Sequence, residues 1–221
     1  MMEYEIHGDM APKMEAVGEI VDKYAEMGVY MSLTLEENAS STYVATDGEL
    51  NGKGDSLMKG ARVHVVAQES TGKSWEVYGI TQDTTKEGLE KLAEYAVNTI
   101  TSPDSIRNIS SNLVSGAAAG VYLTIPQKNQ VYKNDTKVED HYEAPTGKSF
   151  DSVSAKEKTA LVEELSTAAM KDGIVKTRGI YAETERKSWF GDTNGSRITQ
   201  IIPRPYAGIS ATAQKDDPAY E

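Results

Sequence analysis

The sequence predicts an α+β fold in which antiparallel sheet is built from two copies of a helix followed by a three-stranded meander, with the helices on one face. Three observations carry this. Short strands are joined by tight turns, not by long crossovers, which makes their pairing antiparallel. Two capped, amphipathic stretches each end at a glycine that leads into strand. The spacings of the two copies also agree: Asp9 to Gly28 and Ser154 to Gly173 are both 19 residues, while Gly28 to Gly48 is 20 and Gly173 to Gly195 is 22. Equal spacing over such a length suggests an internal repeat, about 9–67 and 154–213. Helix–glycine–strand units are common, so a chance coincidence is the competing reading.

The elements follow in chain order. Met14, Val17, Val21 and Tyr24 recur at three- and four-residue intervals with Ile20 beside them, predicting a helix from about Met10 to Met27. Asp9 would cap it and Gly28 would end it in the left-handed conformation. A first meander follows, turning at Thr46-Asp47-Gly48. Its last strand, Ala61 to Ala67, puts Val63 and Val65 on one face and Arg62 and His64 on the other. Gly52-Lys53-Gly54 is assigned to a loop. A turn at 70–73 leads to a strand from Ser74 to Ile80.

Thr84-Thr85-Lys86-Glu87 has the form of a capping box, opening a helix with Leu89, Leu92, Ala93, Ala96, Val97 and Ile100 on one face. Ser102-Pro103 would end it. Residues 104–152 have the weakest periodicity; 114–125 is small and apolar enough for a strand, and 126–150 is assigned to a long loop or exposed ribbon. Ser154 to Glu157 forms a second capping box, ahead of an apolar stripe of Leu161, Val162, Leu165, Ala168 and Ala169. The closing meander places strands at Ile174–Thr184 and Lys187–Phe190, turns at Thr193-Asn194-Gly195 and runs to Ala213. Residues 214–221 are polar and linker-like.

Composition sets the bounds. The chain has 221 residues, a net charge of −11 and a pI near 4.8, with no Lys/Arg cluster to offset it. Such a surface repels a phosphate backbone, so nucleic acid is excluded as a partner. Cysteine is absent, which removes disulfides and thiolate metal sites and fits a reducing, cytoplasmic setting. The first ten residues have neither the basic nor the apolar region of a signal peptide. No apolar run is long enough for a membrane span.

Searches for chemistry mostly return surface features. His7, His64 and His141 are scattered, without the convergent spacing zinc demands. Thr-Gly-Lys-Ser occurs at 71–74 and 146–149, but Ala67 and Tyr142 stand where a phosphate loop needs its first glycine. Glu36-Glu37, Glu163-Glu164 and Asp216-Asp217 have the character of solvated charge. No catalytic or metal residue is assigned within this chain.

Some stretches resemble a known family. The capped helix 154–172, the strand to Tyr181 and the run Lys187 to Ser196 are similar to the amino-terminal domain of the TldD/PmbA family, once called modulators of DNA gyrase. The small alternating residues Gly208 to Ala213, Gly60 to Val65, Tyr78-Gly79 and the helix from Thr84 fit as well. The resemblance covers roughly 10–218, so 1–221 is taken as one such domain. Asn194 lacks the serine that usually separates Asn and Gly in that family.

The resemblance implies a zinc metalloprotease whose His-Glu-x-x-x-His helix lies in a carboxy-terminal domain, so no cofactor is expected here. It implies paired complexes, homo- or heterodimeric, that admit extended or unfolded peptides. The chain is then expected to be a substrate-channel and assembly domain, binding peptide without cleaving it. The strand Gly60–Ala67 or the hairpin near Asn194 would supply the binding edge, with Arg62, His64, Asn194 and Gly195 as candidate residues. The alternative is a non-catalytic protein-interaction module.

Overall fold

In the computed structural model, the described residues are 10–68, 74–101, 119–124, 137–145 and 147–214. They form α1 (Met10–Ala25), β1 (Tyr30–Thr46), β2 (Glu49–Gln68), β3 (Ser74–Thr81), α2 (Lys86–Thr101), β4 (Ala119–Thr124), β5 (Glu139–Glu143), a short 3-10 turn at Phe150–Ser152, α3 (Ala155–Ala168), β6 (Ile174–Asp192) and β7 (Arg197–Ala213). The strands make one sheet in the order β4-β3-β2-β1-β6-β7-β5. The fold is α+β, as the sequence predicts, but the sheet is mixed. β3 runs antiparallel to β2 and β4, whereas β5 lies parallel to β7. β5 reaches its neighbour through no tight turn, so nothing in the local chain forces the antiparallel direction there.

The three-stranded meanders are also corrected. Each helix–glycine segment is followed by two long strands, β1–β2 or β6–β7, so the breaks expected within them do not occur. Gly52-Lys53-Gly54 lies inside β2, and 174–192 is a single strand. Glu185, in the expected gap, and Lys187, just after it, share one face of the continuous pleated strand. Asp9, the turn at 70–73 and Ser102-Pro103 lie outside the described residues.

The chain divides into two compact units, and β1, β2, β6 and β7 contribute residues to both. Unit 1 comprises 1–37, 59–143 and 187–201. Its core gathers Met14, Val17, Val21 and Tyr24 of α1, Met31, Leu33 and Leu35 of β1, Val63 and Val65 of β2, Val77 of β3 and Leu89, Leu92 and Val97 of α2. Trp189 is wholly enclosed there, its indole Nε1 donating to the Met10 carbonyl at 2.9 Å. The guanidinium of Arg197 ties α1 to the β6–β7 turn, donating to Asp22 at 2.5 Å and to the carbonyls of Asp192 and Ser196 at 3.0 and 2.7 Å. Helix α2 begins one residue later than its expected capping box. Thr85 is the cap, its hydroxyl accepting from the Gly88 amide at 3.1 Å, while Glu87 pairs with Lys91 instead.

Unit 2 comprises 38–58, 144–186 and 202–221. Helix α3 opens with the predicted capping box between Ser154 and Glu157. It packs so closely on β6 that a Cβ on Gly179 would stand 2.3 Å from the Val162 carbonyl oxygen, so only glycine fits there. Val162 meets Tyr43, Ala45 and Tyr181 in a small second core. The β1–β2 turn has positive φ at both Asp47 and Gly48, the backbone a two-residue hairpin needs. Asp47 also accepts from the Thr177 amide at 2.7 Å.

Candidate functional site

Two of the four predicted site residues fall in a polar cluster on the unit 1 sheet. The pairing of β2 with β3 sets His64 opposite Tyr78. Their rings stack at 4.2 Å between centroids, and Tyr30 meets His64 edge-on at 6.2 Å. Val63, Val65 and Val77 turn into the core, so alternation sends His64, Glu76 and Tyr78 to the other face. Glu76 is only 8% exposed, and one of its carboxylate oxygens accepts from the Tyr78 hydroxyl at 2.8 Å and lies 3.3 Å from His64 Nε2.

This environment sets the charges. Burial, then the hydrogen bond to Glu76, pushes the Tyr78 phenol up to about 12. Burial lowers the His64 pKa against the opposing pull of Glu76, and Arg62 adds to the lowering. Burial raises Tyr30, with the Ser32 hydrogen bond opposing and the Asp192 charge assisting. The cluster therefore presents a neutral imidazole and two protonated phenols around a buried carboxylate. It can bind and orient polar groups.

Asn194 and Gly195 serve the β6–β7 turn itself. One Asp192 carboxylate oxygen accepts from the amides of Asn194 and Ser196 at 3.0 and 2.9 Å, and the Asp192 carbonyl accepts from Gly195. Gly195 alone of the turn residues has positive φ, at 91°. Thr193 exchanges hydrogen bonds with Met31 on β1. The two candidate pairs thus sit in separate settings. Tyr30 connects them, touching His64 through its ring and feeling the charge of Asp192.

Backbone availability differs from the expectation. Ala61 to Gln68 pairs with β3, and β1 flanks β2 on its other side. This stretch is an interior strand and offers no free edge. In unit 2, by contrast, the pairing of β5 with β7 stops at Ile201, and among the described residues no strand continues along the outer side of 202–213. A signal for this edge was in the sequence: Pro203 and Pro205 are tolerated in a strand only where no ladder bond is required. Unit 2 also holds a cleft of about 230 Å³ lined in part by Ser40, Ser41, Asp55, Asp151, Glu183 and Glu185. Among the described residues no group of three or more His, Cys, Asp or Glu side chains could hold a metal ion.

Comparison with known proteins gives this geometry a context. Residues 148–221 match the family model of the PmbA/TldA metallopeptidase central domain. No curated protein sequence matches the chain. Solved structures with the same fold include a putative modulator of DNA gyrase from Thermotoga maritima, at 14% identity and a TM-score of 0.57, over 92% of this chain and 40% of that one. Another is a putative modulator of DNA gyrase from Bacteroides thetaiotaomicron, at 14% identity and a TM-score of 0.58, over 96% and 43%. TldE from Thermococcus kodakarensis aligns at 11% identity with a TM-score of 0.54, over 91% and 40%. The chain thus spans about two fifths of the length of these structures. Its resemblance to the TldD/PmbA family holds in both fold and family model, and the matched model describes the family's central domain, where the sequence resemblance pointed to the amino-terminal one.

Proposed function

We propose that this chain is a substrate-binding and assembly part of a TldD/PmbA-type metallopeptidase, holding extended peptides without cleaving them. The observation that carries the reading is the outer side of β7 over 202–213, along which no strand runs among the described residues. An unpaired strand edge recognises any extended chain through main-chain hydrogen bonds, which suits sequence-tolerant capture. In this reading any zinc is held outside this chain; His64 serves the Glu76 contact and His141 bonds Thr199 at 2.7 Å. Pairing with a related chain, homo- or heterodimeric, belongs to the same reading, as does a cytoplasmic location. The test is fluorescence anisotropy of labelled, unstructured dodecapeptides titrated with the full chain, with light scattering of the same samples. Saturable peptide binding and a dimer mass are expected. No binding to any peptide at high micromolar chain would overturn the peptide-capture reading.

A further inference from the structure

The outer edge of β7 is not uniform. The Gln214 amide donates inward to the Gly173 carbonyl at the β6 end of the ladder. Successive residues of a strand direct their amides to opposite sides. Even-numbered residues of this segment therefore bond toward β6, and 203, 205, 207, 209, 211 and 213 point their main-chain groups outward. Pro203 and Pro205 occupy two of those outward positions and have no amide to offer. They close the edge next to Ile201 and leave it open from Ala207 to Ala213.

Charge distinguishes the same place. Ile180, Tyr206 and Gly208 meet on one face of the β6–β7 pair, since a Cβ on Gly208 would lie 2.6 Å from the Tyr206 hydroxyl and 3.1 Å from Ile180. Gly179, on the opposite face, abuts α3. By alternation the first face carries Lys176, Arg178, Arg186 and Arg204, and no Asp or Glu of 174–186 or 202–213 shares it. Lys176, Arg178 and Arg204 are exposed, and Tyr206, 59% exposed, stands beside them. In a chain of net charge −11 this is a local reversal of sign.

We infer that residues 207–213 of β7 take up an acidic extended polypeptide segment as an added strand, drawn by the cationic face of Lys176, Arg178 and Arg204. The inference rests on the peptide-capture reading above and narrows its partner. A second copy of this edge is disfavoured, because two such pairs side by side would bring like charges together. The outward amides favour a polypeptide over a nucleic acid, which has no matching ladder of carbonyls.

The probes are three fluorescein-labelled dodecapeptides in which Val alternates with Glu, Gln or Lys, with a dT12 oligonucleotide as competitor. The Glu peptide should bind the full chain about tenfold more tightly than the Gln peptide, the scale of a few exposed charge contacts, and lose that advantage in high salt. Ala211→Pro, which removes an outward amide only, should abolish binding of both. Arg178→Glu with Arg204→Glu should bring the Glu peptide down to the Gln level while sparing the Gln peptide. Circular dichroism establishes that each variant is folded. Equal binding of all three peptides would defeat the acidic preference and leave peptide capture standing. Undiminished binding by folded Ala211→Pro would defeat the assigned edge, and displacement by dT12 would defeat the polypeptide partner. Failure of every peptide would take the parent reading with it.

Discussion

The two units each bury a carboxylate against a tyrosine two residues away, and they complete the arrangement differently. In unit 1, Glu76 accepts from Tyr78 at 2.8 Å on β3; in unit 2, Glu183 accepts from Tyr181 at 2.9 Å on β6. Residues i and i+2 of a strand share a face, so both contacts follow from spacing alone. Burial first, then the hydrogen bond to the carboxylate, pushes both phenols up to about 12. The third partner separates them. Glu183 has a permanent cation, Lys158 Nζ at 2.6 Å, which also donates to the Phe150 carbonyl at 2.9 Å. Glu76 has His64, whose charge burial suppresses. One motif therefore makes a fixed ion pair in unit 2 and a titratable contact in unit 1.

Removing the fixed cation should have the largest effect. Lys158 and Glu183 are each 7% exposed, so Lys158→Met leaves a buried carboxylate without its counter-charge. A loss of about 3–5 kcal/mol is expected for unit 2. Urea denaturation followed by hydrogen exchange at α3 and β6 amides measures it. A loss below 1 kcal/mol would mean that Glu183 finds solvent or another donor, and the contrast between the units would collapse.

Phenylalanine at either tyrosine sharpens the comparison. Tyr181→Phe and Tyr78→Phe each take one hydrogen bond from a buried carboxylate, and a cost of about 1–3 kcal/mol is expected at each. The cost should be larger at Tyr78, where no permanent cation shares Glu76's charge. An ultraviolet titration adds a second readout. The phenol pKa is raised in the folded state, so this contribution to stability is present below pH 10 and lost as pH rises toward about 12. Each variant should lack one late-titrating phenol.

Much of this was legible in the sequence, and the gaps have physical causes. Some local signals held, the Ser154–Glu157 box, the apolar stripe of α1 and the Asp47-Gly48 turn, whereas the cap of α2 sits one residue later and α3 buries Lys158, Val162 and Ser166 in place of its full apolar stripe. The strand lengths were not legible, because a 19-residue strand buries one face in unit 2 and residues of both faces in unit 1, and so looks like separate pieces. The parallel β5–β7 pairing joins residues 58 positions apart, beyond any local pattern. His64 was singled out correctly as facing away from the core, but its partners Tyr78 and Glu76 depend on the β2–β3 register. Glu183 and Lys158 were missed as a pair. Neither spacing nor periodicity marks a salt bridge between a helix and a strand 25 residues later.

The smallest effect expected is the pH response of unit 1, and it tests the comparison most directly. The folded-state pKa of His64 lies below its ordinary 6.5, chiefly because of burial. Below pH 6.5 the unfolded chain therefore binds a proton that the folded chain resists. Stability contributed by His64 is complete above that pH and is lost as pH falls toward the folded-state pKa. The groups around the ring moderate this: Glu76 favours the charged imidazole, Arg62 opposes it, and Tyr78 and Tyr30 are uncharged at such pH. His64→Gln keeps a polar side chain but removes the titration. Between pH 7.5 and 5.5 the wild-type denaturation midpoint should fall further than that of His64→Gln, and Lys158→Arg, which keeps its charge throughout, should track the wild type. Equal slopes for wild type and His64→Gln would show that His64 takes up its proton as readily folded as unfolded, and the distinction between a titratable and a fixed partner would fail.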